Sequence, residues 1–242
     1  MEHFSEFIKN MTSYINKINI QYYMQAIMFN EILSKKAKRE LSSKKAIKII
    51  EKYNFEFNLK YQYSTNFLSI YYFPIYTILK QFWKKFEGKN ILEIGFRVPL
   101  FLDYLENQGV DTYGIDIEPY IETEKFRKES IEKLSKDFFD KNKNKFHAII
   151  ARITLSRLYD EKNEVETGNP MFKDKHKILL NIFQLLKPNG ILILQDDRGS
   201  IFTTKQFRKI GFRKIVKEYP IIFKNKGKYL GWNVIVAYKK VD

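Results

Sequence analysis

The 242-residue chain contains no cysteine, which excludes disulfide bonds and metal sites built on thiolates. It also contains no apolar run long enough to cross a bilayer, since LSIYYFPIYTIL at 68–79 falls well short of the roughly 20 residues that a spanning helix needs. The N-terminal stretch carries Glu2, Glu6 and Lys9, which interrupt any signal-peptide core. We therefore expect no membrane span and a location in the reducing cytoplasm.

The charge balance is strongly basic, with 43 Lys and Arg against 28 Asp and Glu and a formal net charge of +15. The densest cluster is KKAKRELSSKKAIK at 35–48, with seven basic residues and one glutamate. Such a cluster attracts RNA or small anions. The joint abundance of Lys, Ile, Asn, Phe and Tyr favours a second interpretation, in which compositional bias places lysines on solvated surfaces.

The first 88 residues show helical periodicity and predict a helical N-terminal extension or lid. Apolar residues recur at helical spacing from Phe4 to Ile18, again after Ser42 up to about Tyr53, and over 65–86 with an interruption at Pro74. Several aromatic residues of this region are candidates for roofing a pocket, although most are expected in the core: Tyr22, Tyr23, Phe29, Tyr61 and Tyr63.

From residue 89 to 242 the pattern changes to strands that alternate with helices. Apolar runs predict strands at 90–95, 110–118, 146–153 and 191–197, and a closing hairpin towards the C-terminus. Helices are predicted between them over 99–109, 119–135 and 172–186. This alternation predicts an α/β domain with a mostly parallel sheet covered on both faces.

Several short motifs occur in a fixed order along this second region. An acidic-x-Gly turn, Glu93-Ile94-Gly95, follows the first strand, and Asp116 in YGIDIE closes the second, 21 residues after Gly95. Further on come KDFFD at 136–140, LLKPNGILIL at 185–194 and FRKIGFRKIV at 207–216. In order and spacing these marks resemble the class I S-adenosylmethionine-dependent methyltransferases. The resemblance implies a Rossmann-like, seven-stranded fold and S-adenosylmethionine as cofactor.

The resemblance also implies roles for individual residues. Asp116 would accept hydrogen bonds from the ribose hydroxyls, and Gly95 would let the backbone approach the cofactor closely. Asp137 and Phe138 would meet the adenine. The full set of expected cofactor contacts is Glu93, Gly95, Phe96, Arg97, Asp116, Ile117, Asp137, Phe138 and Arg152.

The chain departs from the family where further glycines are usual, at Arg97 and Pro99. In one interpretation, which we favour, the Arg97 guanidinium binds the methionine carboxylate of the cofactor. In the other, the loop no longer admits the cofactor and the domain is a non-catalytic relative. The missing second glycine also disfavours a dinucleotide-binding dehydrogenase.

The candidate catalytic residues are Asp196 and Asp197 in LQDDRGS, at the end of the fifth predicted strand. They would act as a base on the acceptor; the alternative is that they cap the helix that starts near Thr203. An acidic pair at this point is also similar to that of metal-dependent members of the family. The third acid is missing from ARITLSR at 151–157, so no metal ligand is assigned.

The sequence thus predicts an S-adenosylmethionine-dependent methyltransferase that acts on an oxygen of an anionic small molecule, such as a phosphorylated compound or a nucleotide-linked sugar. The basic cluster at 35–48 motivates this acceptor, and equally motivates the alternative of an RNA methyltransferase. A non-catalytic cofactor-binding relative is the remaining alternative. The acidic stretch 158–172 is either a lid or a solvated loop.

Overall fold

The computed structural model describes residues 35–57, 63–152, 154–155, 174–196, 202–225 and 228–239. Residues 35–41 are helical, and seven helices follow: α1 Lys44–Phe57, α2 Phe67–Tyr71, α3 Phe73–Phe82, α4 Leu100–Glu106, α5 Lys136–Asn142, α6 Lys175–Leu185 and α7 Thr204–Ile210. The strands are β1 Asn90–Ile94, β2 Asp111–Asp116, β3 Phe126–Lys128, β4 Phe146–Arg152, β5 Leu186–Asp196, β6 Phe212–Asn225 and β7 Lys228–Lys239. The helix predicted near Phe4 lies outside the described residues.

The strands form one seven-stranded sheet in the order β3-β2-β1-β4-β5-β7-β6. The first five strands in this order pair in parallel, and β7 pairs antiparallel with both β5 and β6. The central strands are almost wholly buried, as expected where helices cover both faces of a parallel sheet. The predicted fold, a Rossmann-like and mostly parallel seven-stranded sheet, is confirmed.

Two helical layers cover the sheet. Residues 35–41 and helices α1, α3 and α4 pack on one face, where Ile50, Tyr76 and Phe101 share a hydrophobic core with Ile91 and Ile150 of the strands. Helices α5, α6 and α7 cover the other face. The core on the first face is therefore continuous across residue 88, and the domain boundary predicted there stays a prediction. Within the described residues, no helix is both long enough and apolar enough to cross a membrane.

Helix α1 runs antiparallel to α4 and fixes where the second half of the basic cluster lies. Near its start, Lys45 Nζ donates to the carbonyl oxygen of Asn107 at 3.1 Å, beside the amino end of β2. At its end, the Phe57 ring lies 5.9 Å from that of Tyr120, beyond the carboxyl end of β2. Lys45, in the second half of the cluster 35–48, therefore lies at the edge of the sheet where the parallel strands begin, and the 14 residues of α1 span about 20 Å towards the opposite edge. Lys38, in the first half of the cluster, instead lies 4.2 Å from the centre of the Phe73 ring at the start of α3.

The helix predicted over 119–135 is wrong. The segment instead contains a turn, in which Thr123 Oγ1 accepts from the N–H groups of Lys125 and Phe126, and the edge strand β3. The buried apolar residues of this segment, Phe126 and Ile131, are five positions apart, which is not helical spacing. The helical run predicted over 65–86 is interrupted beside Pro74, as expected: α2 ends at Tyr71 and α3 begins at Phe73. Pro74 lies in the first turn of α3, where its missing N–H costs nothing.

Candidate functional site

A cleft of about 330 Å³ opens at the carboxyl edge of the strands, between the ends of β1, β2 and β4. This edge is where open α/β sheets bind ligands. Six of the nine expected cofactor contacts line it: Gly95, Phe96, Arg97, Asp116, Ile117 and Arg152. The other lining residues are Tyr63, Ile94, Ile115, Glu118, Glu129, Ile131 and Thr154.

The turn after β1 requires a glycine at position 95. Gly95 has a positive φ of 77°, and a Cβ atom added there would collide with the side chain of Thr154. Its N–H donates to the carbonyl oxygen of Ile115 at 2.8 Å, which holds the turn against β2. Two residues on, Arg97 also has a positive φ, of 46°, which is a strained conformation for a residue other than glycine. The turn therefore keeps its tight shape with a single glycine.

Asp116 connects the two loops that form the cleft wall. Its Oδ2 accepts the backbone N–H of Arg97 at 2.9 Å, and its Oδ1 accepts the N–H of Glu118 at 2.8 Å. Each carboxylate oxygen can accept more than one hydrogen bond, so both retain acceptor capacity towards the cleft. The carboxylate predicted to bind a ribose thus also orders the loop around it.

The Arg97 side chain is exposed at the rim of the cleft. Its guanidinium carbon lies 5.1 Å from the centre of the Tyr120 ring, and Nη2 donates to the Tyr120 hydroxyl at 3.4 Å. The Tyr120 N–H in turn donates to the Arg97 carbonyl oxygen at 2.9 Å. This mutual contact holds the guanidinium beside the loop that follows β2.

Glu93 is buried beneath the turn and does not line the cleft. Its Oε1 accepts from the Tyr72 hydroxyl at 2.7 Å, whereas its Oε2 has no hydrogen-bond partner. Burial raises the pKa of Glu93 to about 7, against the opposing effects of the Tyr72 hydrogen bond and the Arg152 charge. Burial likewise raises the pKa of the Tyr72 hydroxyl. Glu93 therefore changes protonation near neutral pH.

Phe96 lines the cleft, but its side chain is buried against the sheet, so its main role is to hold the turn in place. The ring packs 5.4 Å from that of Phe126, and it lies so close to Gly114 on β2 that a Cβ there would come within 2.5 Å of it. This contact anchors the turn to the sheet from below.

Asp137 and Phe138 are not brought to the cleft. Asp137 is exposed on α5 and pairs with Lys141 at 2.8 Å, and Phe138 is buried in the core on that face. The structure instead places Glu129 and Ile131, which directly follow β3, on the cleft wall. Neither was predicted from the sequence, because β3, whose end marks Glu129 as the end of β2 marks Asp116, lies in a segment that was predicted to be helical.

Tyr63 forms the wall opposite the sheet. The side-chain amide of Asn54, on α1, donates to the Tyr63 carbonyl at 2.7 Å and accepts its N–H at 2.8 Å. The Tyr63 ring packs against Phe67 with centroids 4.5 Å apart. Tyr63 is thus the one roofing candidate among those aromatics that the structure describes, and it lines the cleft. Tyr22, Tyr23, Phe29 and Tyr61 lie outside the described residues.

Asp196 ends β5, where its backbone pairs with Asn233. Asp197 and the segment 158–172 lie outside the described residues. The helix near Thr203 is capped by Thr203 itself, whose Oγ1 accepts from the Gln206 N–H in a capping box. The capping role considered for the acidic pair is therefore filled by another residue. Across the described ranges, no group of three or more His, Asp or Glu is arranged to hold a metal ion.

The fold and the cleft together define an α/β domain with a cleft at the turn after β1 and an acidic residue at the end of β2. A family model described as a methyltransferase domain matches residues 70–224, which is more than half of the chain. The chain therefore belongs to this methyltransferase family, and its identification as a class I S-adenosylmethionine-dependent methyltransferase is confirmed. No curated protein matches the chain.

Solved structures show a similar fold at low identity. A SAM-dependent methyltransferase from Archaeoglobus fulgidus is 12% identical over 69% of this chain and 93% of its own, with a TM-score of 0.47. Phosphoethanolamine N-methyltransferase 2 from Haemonchus contortus, in complex with phosphomonomethylethanolamine and S-adenosylhomocysteine, is 13% identical over 85% and 60%, also at 0.47. The CurJ carbon methyltransferase is 16% identical over 68% of this chain, which spans about half (52%) of the CurJ chain, at 0.45. With TM-scores below 0.5, these likenesses identify no ligand of this chain.

Proposed function

We propose that the chain transfers a methyl group from S-adenosylmethionine to an oxygen of an anionic small molecule, with the cofactor bound in the cleft beside β1 and β2. The main support for the cofactor site is the hydrogen bond at 2.9 Å in which Asp116, at the end of β2, accepts the N–H of Arg97. This bond places the carboxylate that would bind the ribose beside the glycine turn after β1.

The residues of the cleft fit the parts of this cofactor. Asp116 has acceptor capacity left for the two ribose hydroxyls. Ile117 and Ile131 offer apolar surface for a flat base, and Gly95 leaves room for close approach along the backbone. The exposed guanidinium of Arg97 is our candidate for the methionine carboxylate. The bound sulfonium supplies an electrophilic methyl group.

Glu93 and Phe96 act as positioning residues in this proposal. Glu93 supports the turn from beneath through Tyr72, and Phe96 fixes the turn on β2. Asp137 and Phe138, which lie on α5 and in the core beneath it, are replaced at the cleft wall by Glu129 and Ile131. The Glu129 carboxylate is held by the N–H of Ser135 at 3.0 Å and by its hydroxyl, so it orders the start of α5.

The proposal that the acceptor is anionic now rests mainly on Arg152. Lys45, in the second half of the cluster 35–48, lies at the opposite edge of the sheet, about 20 Å of helix away from the cleft. Lys38, in its first half, lies beside Phe73, next to the Tyr72 ring that contacts Arg152. RNA stays the alternative acceptor, with the cluster 35–48 as its phosphate track. Arg152, expected from the sequence as a cofactor contact, lines the cleft at the end of β4, and we now propose that it meets the acceptor instead. Asp196, at the end of β5, stays our candidate base for an acceptor hydroxyl, and a cytoplasmic location stays a proposal based on the absence of cysteine.

Calorimetry with S-adenosylhomocysteine tests the cofactor site, and we expect saturable binding of one molecule per chain. Absence of binding would favour the alternative in which the loop after β1 no longer admits the cofactor. Incubation with methyl-labelled cofactor and a cell extract tests the acceptor, and we expect the label in acid-soluble material. Label that is acid-precipitable and released by ribonuclease would instead establish RNA as the acceptor.

A further inference from the structure

Three polar side chains form a row across the carboxyl ends of β1, β4 and β5. Arg152 lies opposite Gln195 in the register of β4 and β5, and Glu93 on β1 pairs with Ile150, two residues before Arg152. Residues two apart on a strand face the same side of the sheet. Ile91, Ile150 and Ile193, which precede the three polar residues by two positions, all belong to the core beneath α1 and α3. The row therefore faces that helical layer.

Each member of the row has a buried polar atom without a hydrogen-bond partner: Glu93 Oε2, Arg152 Nε and Gln195 Oε1. Over the described part of the chain, Thr112 Oγ1 is the fourth such atom. Buried polar groups in native proteins are nearly always hydrogen-bonded, so three unpartnered atoms in one row need an explanation. Arg152 is the member of the row that lines the cleft, and Glu93 and Gln195 lie beside it on the neighbouring strands. We infer that the missing partner of these atoms is a ligand that enters at Arg152.

The segment from Phe67 to Tyr72 holds the row from above. The Arg152 guanidinium lies 4.8 Å from the centre of the Tyr72 ring and 5.5 and 5.6 Å from those of Tyr71 and Phe67. Gln195 Nε2 donates to the Tyr71 carbonyl at 2.8 Å, which leaves the amide oxygen as the free end of Gln195. These contacts fix the side chains without satisfying the three unpartnered atoms.

The chemistry of the free atoms defines what the row binds. The Nε edge of a guanidinium, together with an adjacent Nη, forms a two-donor fork that matches a carboxylate or phosphate. Gln195 Oε1 accepts only, so it requires an O–H or N–H donor. A ligand of this row therefore carries an oxyanion next to a hydroxyl or amino group.

The acceptor fits this description better than the cofactor does. The row extends from β1 towards β5, away from Asp116 on β2, and Arg97 already presents a guanidinium on the β2 side of the cleft. We propose that Arg152 and Gln195 form the acceptor subsite, and that the acceptor is a small carboxylate or phosphate with a neighbouring hydroxyl or amino group. This inference rests on the proposed function.

The test uses the full chain and two probes, acetate and inorganic phosphate, titrated with and without saturating S-adenosylhomocysteine. The readout is the dissociation constant of each probe and of S-adenosylhomocysteine. In Arg152→Met, which keeps the length of the side chain against the aromatic rings, we expect probe binding at least about tenfold weaker and S-adenosylhomocysteine affinity within about twofold. Arg152→Lys keeps the charge and loses the two-donor fork, so its affinity for the probes should lie between those of the wild type and Arg152→Met. This variant replaces Arg152→Met in the test if the Met variant does not fold.

Arg97→Ala is the matched control: it should weaken S-adenosylhomocysteine binding, and with S-adenosylhomocysteine saturating it should leave the dissociation constants of the probes unchanged. The proposal is overturned if neither probe binds the wild-type chain, or if the Arg152 variants lose S-adenosylhomocysteine and not the probes, since Arg152 would then contact the cofactor. Failure of the wild-type chain to bind S-adenosylhomocysteine refutes the proposed function instead. The titrations without S-adenosylhomocysteine still measure the anion subsite in that case.

Discussion

The Asp116 carboxylate accepts the backbone N–H of Arg97 at 2.9 Å and so joins the end of β2 to the turn after β1. A second bond, from the Glu118 N–H at 2.8 Å, joins the same carboxylate to the loop that follows β2. One side chain thus shapes both walls of the cleft that we propose for the adenosyl group. Loss of Asp116 is expected to remove ligand contacts and also to loosen the loop that presents them.

Asp116→Asn should weaken S-adenosylhomocysteine binding by at least about tenfold, or about 1.4 kcal/mol. The variant loses the charge of the acceptor and leaves one N–H of the two loops without its oxygen, and charge-assisted hydrogen bonds contribute about 1.5–3 kcal/mol each. Calorimetry measures the affinity.

Asp111→Asn is the matched control for this experiment. Asp111 begins the same strand at the opposite edge, where it pairs with Lys125 at 2.8 Å and accepts from the Tyr113 hydroxyl at 2.7 Å. This substitution should leave the affinity within about twofold, because a surface ion pair contributes only about 0–1 kcal/mol to stability. Equal affinities in the Asp116 variant and the wild type would remove Asp116 from the site.

A comparison of Gly95→Ala with Gly88→Ala separates two costs of adding a Cβ atom: the backbone strain of a positive φ and the collision with a neighbouring side chain. Both glycines have positive φ, 77° and 70°, so each substitution should cost about 1–2 kcal/mol in the free energy of unfolding. A Cβ at Gly88 meets nothing within 4 Å, whereas one at Gly95 collides with Thr154. We expect a further cost of about 1–3 kcal/mol for Gly95→Ala and a loss of S-adenosylhomocysteine binding.

Urea unfolding of the two alanine variants measures this difference. The double variant Gly95→Ala, Thr154→Gly should relieve the collision and keep the backbone strain of the positive φ. Its stability should therefore approach that of Gly88→Ala. Equal stability of the two single variants would mean that Thr154 does not restrict the turn.

The fold was largely predictable because parallel strands buried on both faces appear as continuous apolar runs. NILEIG and ILILQDD are of this kind, and both contain strands. Strand β3 was missed since it has three residues, of which Phe126 alone is buried. So short an edge strand gives almost no alternating apolar pattern, and the many charged residues around it favoured the prediction of a helix.

The site was predictable only where a residue ends a long strand. Gly95 and Asp116 follow β1 and end β2, so sequence order was enough to place them. The row of Glu93, Arg152 and Gln195 depends on register between β4 and β5, which no local pattern carries. The location of the basic cluster depends in the same way on how residues 35–41 and α1 pack, which the tertiary contacts of Lys38, Lys45 and Phe57 reveal.

Arg97→Gly and Arg97→Gln test the two properties of Arg97 separately. Both remove the guanidinium, so both should weaken S-adenosylhomocysteine binding by about tenfold if the group meets the carboxylate of the cofactor. Glycine also relieves the positive φ of 46°, so Arg97→Gly should be more stable than Arg97→Gln by about 1 kcal/mol. Calorimetry and urea unfolding give the two quantities. Unchanged affinity in both variants would assign the guanidinium to its Tyr120 contact alone.

Glu93 should make the stability of the chain depend on pH near neutrality. Burial raises its pKa from an ordinary 4.5 to about 7, so between these values the folded chain binds more protons than the unfolded chain. The stabilisation that comes from the neutral form is therefore complete below about pH 4.5 and is lost as the pH rises through 7. The charged and titratable groups that act on Glu93 are Tyr72, Arg152 and Asp116.

Glu93→Gln should remove this dependence, because the amide stays neutral throughout. The difference in unfolding free energy between the variant and the wild type should shift in favour of the variant from pH 5 to pH 8, by up to about 3 kcal/mol at 1.36 kcal/mol per pKa unit. Urea unfolding at both pH values measures the shift. Tyr72→Phe, which removes the hydrogen bond that opposes the rise, should move the transition to higher pH. A difference between Glu93→Gln and wild type that is independent of pH would mean that the carboxyl titrates near its ordinary value, and that the row with Arg152 and Gln195 holds a permanent negative charge unsuited to an anionic acceptor.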